Sequence, residues 1–450
     1  MKLTAGLRFI PGTTGPDLLH GTLRRDWIMG LNGADTIGGD GPVILDSSEP
    51  ASLTGAADLL DGGDGDDLIY GDGSVTSGLG GTSLLKGGDD AVLGGAGNDT
   101  LYGDGAALAD SGDTAVLTGG RDALTGGSGN DVIYGDGRAG GAFARGDLFG
   151  GNDVLDGGRG NDMLWGDGDA GFGRTTSVLV GGRDLLKGGA GNDTLYGDGR
   201  AQSVTGGHDT LHGGDGDDLM MGDGLAYPTL SGGNDLLLSG AGRDTLFGDG
   251  EVGVVYIGPG VLTGGHDTLR GGTGDNILWG DGTVVAGGFS ASLIGGDDLL
   301  FGSDGQDRIY GDGSASGSGA ILAGGNDTLH GGAGDDALWG DGIITPSSVG
   351  VDSLTGGADT FVFGPRGGLD TVMDFRQADG DCILLLGTGL SWRQLDTNRS
   401  GSLGDGDAYV SSNGTDTVID IGAACLRAAG VNAVTLLDVT GLVEADFTFA

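Results

Sequence analysis

From about residue 12 onward the apolar residues come in short triplets rather than in helical stripes or long alternating runs. Leu68-Ile69-Tyr70, Thr100-Leu101-Tyr102, Val132-Ile133-Tyr134 and Met163-Leu164-Trp165 are examples. Each is preceded by Gly-x-Gly-x-Asp and followed by Gly-Asp-Gly. The central residue is apolar throughout: Ile69, Leu101, Ile133, Leu164, Leu195, Met220, Leu246, Leu278, Ile309 and Leu338. A strand this short gains nothing alone; it becomes stable by stacking in parallel on the same strand of a neighbouring coil. The glycines permit positive φ and close backbone approach, so each six-residue Gly-rich segment reads as a tight turn between strands.

The repeat has an unusual register. The aspartate of Gly-Asp-Gly falls at 40, 72, 104, 136, 167, 198, 223, 249, 281, 312 and 341, with spacings between 25 and 32. A fixed core with a variable insert accounts for these values. Joining Gly197-Asp198-Gly199 directly to Gly207-His208-Asp209-Thr210-Leu211-His212 restores a nonapeptide of the form Gly-Gly-x-Gly-x-Asp-x-apolar-x. The next nine residues, Gly213 to Met221, repeat that form without interruption. Each period is thus two nonapeptides, 18 residues, with an insert of 7 to 14 residues between positions 3 and 4 of the first. We call the interrupted nonapeptide A and the intact one B. Position 8 of A supplies a second apolar ladder: Leu60, Val92, Leu124, Leu155, Leu186, Leu211, Leu237, Leu269, Leu300 and Leu329. The predicted fold is all-β, a parallel β-roll of about eleven coils.

Composition narrows the chemistry. Glycine supplies 108 of 450 residues, but without the every-third-residue period of collagen. The net charge is −44, and only Glu49, Glu251 and Glu444 among the 65 acids are not aspartate. Short carboxylates beside glycines suit turns that hold a hard cation through oxygen. Such an acidic chain does not bind nucleic acid or an anionic membrane by charge. Cys382 and Cys425 are too few for a disulfide scaffold or a Cys-ligated metal centre. No apolar run approaches a membrane span, and Met1 to Arg8 lacks the apolar core of a secretory signal.

Many copies of one nonapeptide at fixed spacing resemble the repeats-in-toxin (RTX) family, whose right-handed parallel β-roll binds calcium between coils. The resemblance covers about residues 12 to 381. It implies that position-6 carboxylates and turn carbonyls of adjacent coils hold each ion. On the B edge these are Asp35, Asp67, Asp99, Asp131, Asp162, Asp193, Asp218, Asp244, Asp307 and Asp336, with Asn276 departing from the pattern as a neutral, weakening ligand. On the A edge they are Asp58, Asp90, Asp122, Asp153, Asp184, Asp209, Asp235, Asp267, Asp298, Asp327 and Asp359. Because the insert interrupts the A turns, the B edge is expected to bind more strongly. The Gly-Asp-Gly aspartates occupy position 2, where the family uses a backbone carbonyl, so they are expected behind the ligands. Ten to twenty Ca²⁺ would carry +20 to +40 against the −44.

Three further features stand out. Position 9 of B is aromatic in nine of ten coils (Tyr70, Tyr102, Tyr134, Trp165, Tyr196, Phe247, Trp279, Tyr310, Trp339, with Met221 the exception). That outward stripe is either a sugar or assembly platform, or is covered by inserts, whose recurring Leu-x-Gly end (Leu53, Leu85, Leu117, Leu148) implies a third apolar ladder. His208 and His212 have the spacing of a helical zinc pair but lie on a turn and strand, so they read as surface residues. Residues 343–450 resemble the module that closes RTX rolls in secreted proteases, with a short helix predicted at Trp392–Leu395 and an ending like a type I secretion signal.

The expected organisation is an N-terminal segment over 1–11, the roll over 12–342 and a closing β module over 343–450. His-Glu-x-x-His and Gly-x-Ser-x-Gly are absent. The expected function is a non-enzymatic, secreted, calcium-folded structural protein of the surface-layer, filament or matrix kind, at the surface of a Gram-negative bacterium. The alternatives are a polysaccharide-acting or glycan-binding solenoid, or a toxin-like or bacteriocin-like effector. A homo-oligomer or lattice is the expected partner, beside a cell-surface glycan. Apolar residues in the inserts (Tyr227, Val254, Tyr256, Phe289) and in the N-terminal stretch (Leu3, Leu7, Phe9, Ile10) are the candidate contacts. Without calcium the stacked carboxylates repel, and a coil this thin has too little core to offset backbone entropy. Far-UV circular dichroism is therefore expected to show a largely unfolded chain in EGTA and a β spectrum in millimolar calcium; a full β signal in EGTA would contradict this.

Overall fold

The computed structural model describes residues 7–45, 49–141, 143–171, 177–253, 258–346, 350–425 and 432–450. Leu3, Val254 and Tyr256, singled out above, lie outside them. The chain divides into two compact units, residues 1–236 with 250–253, and residues 237–249 with 254–450. Each is a parallel β-solenoid.

In the first unit the A nonapeptides form one sheet, running Arg8–Pro11, Asp26–Asn32, Leu59–Asp64, Ala91–Ala96, Ala123–Ser128, Val154–Arg159, Leu185–Ala190 and Thr210–Asp215. Every neighbouring pair is parallel and in register, so Leu60, Val92, Leu124 and Leu155 lie directly over one another. The B triplets stack the same way, with Ile69 on Leu101, Leu101 on Ile133 and Ile133 on Leu164. Both ladders are fully buried. The strands begin before the expected boundary at residue 12: Phe9 pairs with Trp27 and Ile10 with Ile28.

The inserts build parallel sheet of their own. Their second strands (Ala51–Thr54, Thr82–Lys86, Thr114–Thr118, Arg145–Phe149) pair coil to coil, and their first strands (Val43–Leu45, Ser74–Ser77, Ala106–Leu108, Arg138–Gly140) do likewise. Leu53, Leu85, Leu117 and Leu148 form the third apolar ladder, all at most 3% exposed. Val75, Ala107 and Ala139 add a fourth, which no sequence pattern had marked because alanine carries little signal. One coil thus contributes four inward side chains, and its core is about twice what two nonapeptides supply.

The second unit repeats this scheme from Thr268–Arg270 through Leu299–Asp304 and Thr328–Ala333. Its ladders also run past residue 342. Thr360–Phe363 pairs with Thr328–Ala333 on one side and with Cys382–Leu385 on the other, and Phe447–Phe449 pairs with Cys382–Leu385. The B ladder ends differently: Ala433–Leu436 pairs in parallel with Leu369–Val372 and antiparallel with Thr417–Ile419, which is hairpinned to Val410–Ser412. The helix at Trp392–Leu395 is present.

Glycine is obligatory where coils touch. At Gly97, with φ +145°, a Cβ would lie 1.9 Å from the Gly65 carbonyl oxygen. The core ladders are as tightly constrained by volume. Leu117→Ala is expected to destabilise the calcium-loaded protein by about 3 kcal/mol, against about 0.5 kcal/mol or less for the exposed Leu84→Ala on the same sheet; urea unfolding in saturating calcium measures the difference.

Candidate calcium centres

The B-turn aspartates are stitched coil to coil. The backbone N–H of Asp35 donates to Asp67 Oδ1 at 2.7 Å, and that of Asp67 to Asp99 Oδ1 at 2.8 Å. The chain of bonds continues through Asp131, Asp162, Asp193 and Asp218 at 2.8–2.9 Å. In the second unit Asp244, Asn276, Asp307 and Asp336 follow the same rule at 2.8–3.0 Å. The A-turn aspartates form an equal ladder: Asp58, Asp90, Asp122, Asp153, Asp184, Asp209 and Asp235 are linked at 2.5–2.7 Å. Asp267, Asp298, Asp327 and Asp359 are linked at 2.7–2.9 Å. Each of these side chains is buried.

One oxygen of each carboxylate is spent on this bond. The other, Oδ2, is buried without a hydrogen-bond partner in Asp67, Asp99, Asp131, Asp162 and Asp193 on the B edge, and in Asp90, Asp122, Asp153, Asp184, Asp298 and Asp327 on the A edge. A buried carboxylate oxygen with no donor is costly, and a cation satisfies it. Oxygen-only donors in closely stacked turns fit Ca²⁺, which takes about 6–8 of them.

Asn276 shows what the departure from pattern does. Its Oδ1 keeps the ladder bond to Asp244, but its Nδ2 donates to the Gly274 carbonyl oxygen at 3.0 Å. The amide removes a charge and also occupies a turn carbonyl.

Sequence reasoning missed the first and last rungs. Asp17 N–H donates to Asp35 Oδ1, and Asp26 N–H donates to Asp58 Oδ1. Asp370 and Asp381 close the two ladders by accepting from Asp336 and Asp359. The signal for the first two was the plain nine-residue spacing Asp17, Asp26, Asp35, hidden because Arg24 stands where a glycine is usual.

The Gly-Asp-Gly aspartates take a part that the nonapeptide pattern does not suggest. Asp72 Oδ2 accepts the N–H of Gly88 at 2.9 Å, so position 2 reaches across the insert and clips position 4 back into the turn. The clip recurs at Asp104, Asp136, Asp167 and Asp198, and at Asp249, Asp281, Asp312 and Asp341, at 2.8–3.3 Å. The interrupted A turn is therefore closed, and the ground for ranking the A edge below the B edge falls away.

The aromatic stripe is a ring stack. Tyr70 and Tyr102 lie 4.8 Å apart at 7°, and Tyr102 and Tyr134 4.9 Å apart at 4°. In the second unit Trp279 and Tyr310 lie 3.8 Å apart. The inserts stack on one another and cover the stripe only in part: Trp165, Met221 and Tyr310 are buried, the other rings half-buried. His208 is a rung of the surface, its Nδ1 accepting the Asn234 N–H at 2.7 Å.

Parallel coils joined by two buried carboxylate ladders define a calcium-binding β-roll. The chain belongs to the RTX calcium-binding nonapeptide repeat family, whose pattern matches residues 11–41, 54–74, 86–107, 109–137, 149–172, 180–199, 203–224, 230–251, 262–283, 295–315 and 323–342. These repeats bind calcium, are typical of secreted extracellular proteins, and are as a rule non-catalytic. No curated protein matches the chain. No helix among the described residues is long and apolar enough to cross a membrane.

Burial sets the pH response. It pushes Asp99 and Asp307 up to about 7, and Asp67, Asp131 and Asp193 up to about 6, from an ordinary 3.8; backbone hydrogen bonds oppose the shift and neighbouring carboxylates mostly add to it. Asp90, Asp122, Asp153 and Asp184 are likewise held well above the ordinary carboxylate range, chiefly by desolvation. A raised carboxylate favours the fold when protonated, so its contribution is full below about 3.8 and is lost as pH rises through 6–7. Calcium-free protein, stripped on a chelating resin, is expected to gain β signal in circular dichroism as pH falls from 8 to 5. Unchanged or falling β content over that range would contradict the sign.

Proposed function

We propose that the protein is a non-enzymatic extracellular scaffold that folds on meeting calcium and then assembles laterally. The observation that carries this reading is the insert sheet. It repeats once per coil and leaves apolar side chains at its outer surface: Leu84, Phe149 and Val180 in the first unit, Ile294 and Ile321 in the second, each at least 36% exposed. A surface that repeats with the coil and carries such residues suits contact with further copies, in a lattice, filament or matrix. Phe289 is exposed beside it, whereas Tyr227 is half-buried. Residues 343–450 act as the closing module and, by their resemblance to secreted RTX proteins, as the export signal. Folding after export, where calcium is abundant, fits a chain held unfolded by its own charge inside the cell.

Light scattering in millimolar calcium is expected to show mass rising with protein concentration, with ordered arrays in electron micrographs. A strict monomer over a wide concentration range would overturn the assembly reading.

A further inference from the structure

We propose that the Gly-Asp-Gly aspartates are direct ligands of the A-edge cations, so that each A-edge ion sits in a cage of three carboxylates from two successive Gly-Asp-Gly segments and one position-6 aspartate. This rests on the calcium reading above and adds a ligand that the nonapeptide pattern does not contain.

Asp72, Asp90 and Asp104 each bring a carboxylate oxygen within 4.8 Å of the other two, and Asp104, Asp122 and Asp136 do so one coil further on. All five are buried, and Asp72, Asp104 and Asp136 have no exposed surface. Clipping the insert uses one oxygen of Asp72 and one of Asp104. The second oxygen of each, Oδ1, is buried with no hydrogen-bond partner, as are Asp90 Oδ2 and Asp122 Oδ2. A clip alone needs one neutral acceptor, which asparagine supplies without charge, yet all eleven positions hold aspartate. The charge serves something else.

Charge counting identifies what. Each position-2 carboxylate is shared by two cages, as Asp104 is, and each cage has one position-6 carboxylate. One coil thus adds two negative charges to the A edge, which one divalent cation neutralises. Room for the carboxylates is reserved by glycine. At Gly87 a Cβ would fall 1.6 Å from Asp104 Oδ1, the oxygen the clip leaves open, and at Gly119, Gly150 and Gly181 it would fall 1.6–1.7 Å from Oδ1 of Asp136, Asp167 and Asp198, which there accepts the clip bond. That is why the inserts end in Leu-x-Gly. At Gly71 a Cβ would meet Asp90 Oδ2 at 2.5 Å and the Gly103 carbonyl oxygen at 1.6 Å, so a carbonyl lies at the same place. Where the file of cages ends, a protein cation takes over: Arg376 Nη1 lies 3.0 Å from Asp341 Oδ2.

The test counts bound calcium in the full chain after gel filtration in calcium chloride, by elemental analysis. Asp104→Asn keeps the clip acceptor and side-chain volume but removes charge from two cages; it is expected to lose two ions while retaining the β spectrum. The exposed Asp66→Asn is expected to lose none. A wild-type count in Asp104→Asn would reduce position 2 to a clip and overturn the proposal, leaving the calcium reading intact; a wild-type chain that binds no calcium would overturn both. Should Asp104→Asn not fold, the calcium-loaded crystal structure of the unaltered chain decides. Ions bonded to Asp72 and Asp104 Oδ1 uphold the cage, and ions bonded only to position-6 carboxylates and carbonyls overturn it.

Discussion

Buried carboxylates stacked coil upon coil, with only one oxygen given a backbone donor, are the constraint on which this protein depends. Position-6 carboxylates stand directly above those of the previous coil, tied by a backbone N–H to one oxygen, and in Asp67, Asp99, Asp90 and Asp122 the other oxygen is buried without a hydrogen-bond partner. At such spacing and burial, like charges repel strongly unless neutralised. The 21 lysines and arginines cannot do it against 65 acids, and ion pairs such as Arg121–Asp89, Arg200–Asp169 and Arg376–Asp341 lie at the surface or where the ladders end. Calcium, which repeats of this family bind, supplies the positive charge that the chain itself lacks. The same stacking explains the glycine content: turns separated by one strand spacing bring carbonyl oxygens to positions where a Cβ would stand.

Insertion into a metal-binding turn would ordinarily break it. Here the break is repaired by a side chain. The aspartate just before the insert bonds the glycine just after it, so the two halves of the turn are held together while the intervening residues leave and return. Freed from the turn, the inserts pair with their counterparts in adjacent coils, and those of Leu85, Leu117 and Leu148 each bury that leucine and a small aliphatic residue. That doubling of the core matters in a solenoid, where each coil contacts only its neighbours. At the start of one insert, Arg200 lies 5.8 Å over the Trp165 ring.

The ends differ from the middle for the same electrostatic reason. At the start, Asp17 and Asp26 extend both ladders through coils with little or no insert. At the finish, Asp370 and Asp381 accept the last ladder bonds, and Arg376 brings a guanidinium to Asp341. An antiparallel hairpin, Val410–Ser412 with Thr417–Ile419, then covers the last parallel B strand.

The repeat by itself determined the coil. Apolar residues at position 8, glycines at the turns and aspartate at position 6 recur often enough that parallel stacking and oxygen-rich edges follow from the sequence, as do the three apolar ladders through Leu60, Ile69 and Leu85. These features are local and periodic, and a repeat displays them many times over. Tertiary structure alone decided the rest. The Ala107 and Ala139 ladder, the clip from Asp72 to Gly88, and the meeting of Asp72, Asp90 and Asp104 join residues separated by inserts of unequal length or by whole coils. A linear pattern records which residue follows which; only the closed coil shows that positions 2 and 6 of one turn and position 2 of the next face the same space.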